Sequence, residues 1–169
     1  MFESADTYLA ICEIAAAFAG FSAIVAILDK RSDSSSETQL KSVLLICLLV
    51  IAASLIPVLL AEYNFSNEQI FSISGAFFLF LIWLTILTVS HISKVSGSNI
   101  LENVGSRASN IVMWTLEVAI QLPLILCVFR IFPELNSALY MTALILNLFQ
   151  AAQFFYKLAV EPRLETKTS

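Results

Sequence analysis

Two carboxylates stand inside long apolar stretches of this chain, Glu13 and Glu117. A charge at the centre of a membrane-spanning helix costs about 2.5 to 3.5 kcal/mol on insertion scales, so neither carboxylate is expected to face lipid. Glu13 opens the run Glu13-Ile14-Ala15-Ala16-Ala17-Phe18-Ala19-Gly20-Phe21-Ser22-Ala23. Ala16 with Gly20, Ala15 with Ala19 and Ala19 with Ala23 are small-xxx-small pairs, which let another backbone approach closely. Glu13 and Gly20 lie two turns apart on one helix face. Two readings follow: an ion or proton site in a tight helix contact, or a neutral, hydrogen-bonded Glu that fastens a bundle, the commoner use of an intramembrane polar group. Ala16, Gly20 and Ala23 are the expected packing residues in either case.

Glu117 and Gln121 are four residues apart and share a face. The last apolar stretch carries Asn147, Gln150 and Gln153. In an antiparallel pair of helices Gln150 and Gln153 fall near the depth of Glu117, giving a polar seam that serves either as a hydrated ion path or as a network satisfying buried amides. Pro57 and Pro123 each remove a backbone donor and are candidate kinks. The single histidine, His91, has no cluster of Cys or carboxylates beside it and is no metal site. Cys12, Cys47 and Cys127 fall within apolar stretches at differing depths, as reduced packing residues do. No nucleophile with its base, phosphate loop or dinucleotide motif is present. Amides cannot replace an acid or a nucleophile, so the chain is not expected to be an enzyme, and neither a cofactor nor a metal is expected.

The elements that hold these residues follow from composition. Of 169 residues, 59% are hydrophobic and 13% charged, with a mean hydropathy of +0.86. Soluble domains carry about 25% charged residues, so this chain has too little polar surface to coat a water-soluble globule. A net charge of −4 argues against nucleic acid, whose phosphates need clustered Lys and Arg. About 20 apolar residues make a spanning helix, and five stretches qualify: 7–28, 40–61, 70–92, 110–129 and 137–158. The expected fold is therefore all-α, a single transmembrane domain over 1–169 with five antiparallel helices and membrane lipid as its surroundings. Basic residues gather on the cytoplasmic side. Placing the N-terminus outside and the C-terminus inside puts Lys30, Arg31, Lys41, Lys94, Arg107, Lys157, Arg163 and Lys167 inside and leaves only Arg130 outside. The acidic start, Met1 to Asp6, and the length of the first run distinguish it from a cleavable signal peptide. Tyr8, Tyr63 and Tyr140 near the outer boundaries, with Trp114 and Tyr156 near the inner ones, are expected at the interfaces.

The first stretch resembles the opening of a family of small, uncharacterised bacterial membrane proteins that begin with a Glu-x-Ala-x-x-Phe-Ala-Gly-Phe motif, here Glu13 to Phe21. Looser likeness reaches Leu55-Ile56-Pro57 and Gln153-Phe154, while Glu117 departs from the pattern. The resemblance implies five helices and the bacterial inner membrane, and no activity. The sequence thus points to a homo-oligomer that conducts or senses a small ion, with Glu13, Glu117, Gln121, Asn147, Gln150 and Gln153 as polar candidates. The alternative is a non-catalytic scaffold or regulatory subunit whose partner, in the membrane or the cytoplasm, would meet the inner polar loops 29–41 and 93–109.

Overall fold

The computed structural model describes the backbone over residues 5–28, 34–95 and 107–165, and side chains over most of 5–27, 40–88 and 111–156. The described chain is all-helical: α1 (Ala5–Leu28), α2 (Ser34–Glu62), α3 (Asn67–Val95), α4 (Arg107–Val128), a 3-10 turn at Pro133–Leu135 and α5 (Asn136–Glu165). Each of the five helices holds a segment long and apolar enough to cross a membrane: Ala5–Val25, Leu40–Glu62, Asn67–Thr88, Ile111–Val128 and Pro133–Tyr156. The chain is an integral membrane protein by this measure. These segments coincide with the five stretches seen in the sequence, but the helices run on past them, three of them well beyond. α2 begins at Ser34, α3 continues to Val95 and α5 to Glu165. Apolar content marks the bilayer, whereas a helix already nucleated there propagates into polar sequence at little further cost.

Consecutive helices pack side by side, and α2 and α5 also touch, as do α1 and α5, so the bundle closes around α5. The chain reverses through side-chain and backbone caps. Between α2 and α3, Asn64 takes the left-handed conformation (φ 58°), which Asn tolerates better than most residues. Ser66 and Gln69 then form a reciprocal capping box at the start of α3: Ser66 N–H donates to Gln69 Oε1 at 3.2 Å, and Gln69 N–H to Ser66 Oγ at 3.4 Å. α4 ends in a Schellman motif, with Ile131 N–H to Leu126 O and Arg130 N–H to Cys127 O, each 3.2 Å, and Arg130 at φ 53°. At the same end of the bundle the Arg130 guanidinium approaches the Glu68 carboxylate at 4.0 Å.

An aromatic cluster fills the core at that end, and it corrects one expectation. Tyr8 and Tyr140 are not interfacial; both are fully buried, packed on each other and on Phe71. Burial is tolerable because each hydroxyl has a partner. Tyr8 Oη lies 3.2 Å from Ser137 Oγ, and Tyr140 O–H donates to the Ala53 carbonyl at 2.7 Å. Ala53 is four residues before Pro57, and proline has no N–H to give that carbonyl. Tyr140 thus supplies the donor that Pro57 withholds, and α2 passes through Pro57 unbroken. α4 is likewise continuous through the buried Pro123. Tyr63, Trp114 and Tyr156 are exposed, as interfacial side chains would be.

Candidate functional site

The polar seam forms as its spacing implied. Glu117 on α4 accepts from Gln121 Nε2 at 3.1 Å through Oε1 and from Gln150 Nε2 of α5 at 3.3 Å through Oε2. A one-turn step along α4 and the antiparallel approach of α5 bring the two amides onto one carboxylate. Gln150 is buried, while Glu117 and Gln121 are half-buried. Asn147, one turn along α5, is buried at 3% exposure, and its Oδ1 has no hydrogen-bond partner. Gln153 is half-buried and takes no part in the hydrogen bonds to Glu117. The seam is therefore one acid held between two amide donors, with a third, unsatisfied amide oxygen deeper in the core.

Glu13 departs from expectation. It lies on the outward face of α1, exposed, and no hydrogen bond or ion pair reaches it from the described residues. Ala16 and Gly20 are exposed beside it, and a Cβ built on Gly20 would meet nothing within 4 Å. Ala23 is half-buried. Within one chain Glu13, Ala16 and Gly20 fasten nothing: α1 turns Tyr8, Ile11, Ala15 and Ser22 towards the bundle, and a helix cannot present both faces to it. A close helix approach does occur at Gly75, where an added Cβ would sit 3.2 Å from Val128 Cγ2 and 3.6 Å from the Leu124 carbonyl. Next to it, Cys127 S–H reaches the Phe71 carbonyl at 3.3 Å and Ser72 O–H donates to the Val128 carbonyl at 3.1 Å.

Sequence reading missed a second set of buried polar groups. Ser54 on α2, Ser74 on α3 and Asn136 at the start of α5 are all at 1% exposure or less. Ser54 Oγ, Ser74 Oγ and both side-chain polar atoms of Asn136 lack hydrogen-bond partners. A lone Ser in an apolar run usually bonds its own helix or small-residue contacts, so type and spacing gave no signal. Cys12, Cys47 and Cys127 are free thiols. The side chain of His91 and the linking residues 29–33 and 96–106 lie outside the described residues. No family model, curated protein or solved structure matches the chain.

Proposed function

We propose that the protein is a homo-oligomer of the bacterial inner membrane, with its N-terminus outside, that conducts or senses a small ion where copies meet along α1. The observation that carries this reading is Glu13: an ionisable side chain inside the Ala5–Val25 span, on the outer surface of the bundle, with no partner from its own chain among the described residues. Facing hydrocarbon, such a group is strongly disfavoured. A second copy relieves that cost, and the adjoining Ala16 and Gly20 leave room for its backbone. In a symmetric pair the same face meets itself, so two Glu13 side chains approach one another and can share a proton or a cation. The sign of the carboxylate selects cations. Five helices rarely enclose a wide pore, which places a path between protomers. The role is non-catalytic, with lipid and further copies of the chain as its partners.

Gln matches protonated Glu in size and hydrogen bonding but cannot ionise. Glu13→Gln is expected to preserve oligomer mass in mild detergent and to abolish cation flux, or its pH response, in proteoliposomes. Glu13→Leu is expected to shift the protein towards monomer. Retention of full flux by Glu13→Gln, or a monomeric wild-type protein in native membranes probed by crosslinking, would refute the reading.

A further inference from the structure

Buried side chains with unspent hydrogen-bonding capacity are few in folded proteins, and in a bilayer each one is expensive. Asn136, Ser74, Ser54 and Asn147 carry five buried polar atoms without partners, on the three mutually contacting helices α2, α3 and α5. Asn136 opens α5, Asn147 lies about 16 Å further along it, and Gln150, bonded to Glu117, about 21 Å along at 1.5 Å per residue.

The serines fall between these levels. Ser54 follows Ala53, whose carbonyl takes the Tyr140 hydroxyl. Ser74 shares a face of α3 with Phe71 and Phe78, and both of those rings lie 6.2 Å from that of Tyr140. Four other hydroxyls in the spans satisfy themselves locally. Ser22, Thr88, Thr115 and Thr142 each donate to the carbonyl four residues earlier at 2.7 to 2.8 Å. Ser54 and Ser74, more deeply placed than three of those four, do not.

We propose that each chain holds a row of bound waters from Asn136, past Ser74 and Ser54, to Asn147 and the Gln150–Glu117 pair, and that protons cross the bundle along it. Water fits the chemistry better than a metal ion. The unpartnered set is mixed, with the Asn136 Nδ2 donor among the oxygens, and both carboxylate oxygens of Glu117 are already met by N–H donors. Buried waters characteristically satisfy such groups with two to four hydrogen bonds each. Glu117 is the acid of the row. Among the described residues the other titratable groups facing the core are Tyr8, Tyr140, Cys47 and Cys127; the Tyr140 hydroxyl already donates a hydrogen bond to the Ala53 carbonyl and the Cys127 thiol one to that of Phe71. Each transfer moves one positive charge across the bundle and changes no oxidation state. A proton arriving at Asn136 forms an O–H bond on the first water, and each water releases one proton as it gains another. Glu117 takes the last proton on a carboxylate oxygen and gives it to solvent beyond the α4–α5 seam, where half-buried Gln153 leads away from the core.

This inference stands apart from assembly through α1, and its test separates the two. Wild-type protein in lipid nanodiscs, exposed to X-ray-generated hydroxyl radicals, should be modified at buried Phe78 and Tyr140 several-fold faster than at lipid-facing Phe80. Proteoliposomes with an internal pH dye and a valinomycin-set potential should take up protons. Asn147→Leu and Glu117→Gln should each lower that uptake at least tenfold, while Phe80→Leu, on the lipid-facing surface of α3, leaves it unchanged. The radical experiment needs no variant, so misfolding of a substituted chain cannot mask the answer. Phe78 modified no faster than Phe80, absence of proton uptake by wild type, or uptake equal in wild type, Asn147→Leu and Glu117→Gln would each overturn the proposal.

Discussion

Tyr140 shows how one side chain can repair a defect that another creates. Pro57 deprives the Ala53 carbonyl of its helical donor, and the Tyr140 hydroxyl fills the place at 2.7 Å. Removing that hydroxyl leaves a buried acceptor unpaired, so Tyr140→Phe is expected to destabilise the fold by about 1 to 3 kcal/mol. Pro57→Ala restores a backbone N–H, and in that background Tyr140→Phe should cost markedly less; thermal unfolding of all four proteins measures the coupling. Equal losses in both backgrounds would show that the tyrosine acts by packing alone. None of this was legible in the sequence. Tyrosine is amphipathic, and near a span boundary its hydroxyl points to the interface unless the fold offers a buried partner. Glu117 with Gln121 was legible because four-residue spacing on a helix leaves little choice of neighbour, and Gln150 because short links impose antiparallel neighbours.

At the scale of the helix, small residues give a contact no address. The Glu13-to-Ala23 run and Gly75 carry the same licence for close approach; Ala15 and Gly75 use it within the chain, whereas Ala16 and Gly20 face outward. Periodicity could not separate them, because α1 and α3 are apolar around most of their circumference. The two glycines should respond differently to the same change. Gly75→Leu forces a branched side chain against Val128 and the Leu124 carbonyl and should lower stability by about 1 to 3 kcal/mol or more. Gly20→Leu meets open space in the monomer, so unfolding of dispersed single chains should barely change while association weakens. Comparing unfolding midpoints in harsh detergent with oligomer mass in mild detergent reads both effects. A Gly20→Leu protein that unfolds as early as Gly75→Leu would place that face inside the monomer after all.

For the molecule as a whole, the number of spans was the most legible property and the direction of insertion the least constrained by packing. Burying every backbone polar group within hydrocarbon allows only helices or closed barrels, and five apolar runs of helical length leave one solution. Nothing in the contacts among five packed helices distinguishes one side of a bilayer from the other. That information resides in charges at the ends. The Glu62-to-Asn67 reversal and the Arg130–Glu68 ion pair share the end of the bundle that has few basic residues. The opposite side of the assigned topology carries Lys30 and Arg31 in the sequence that joins α1 to α2, Lys94 in the last turn of α3 and Arg107 at the start of α4. The basic side is expected to be cytoplasmic. In a background with Cys12, Cys47 and Cys127 replaced by alanine, Asn67→Cys should therefore react with an impermeant thiol reagent in intact cells. Ser35→Cys and Ser98→Cys should react only after the membrane is opened. Labelling of Ser35→Cys in intact cells, with Asn67→Cys protected, would invert the whole bundle. The proposed proton path would then keep its residues, and its Asn136 mouth would open to the cytoplasm.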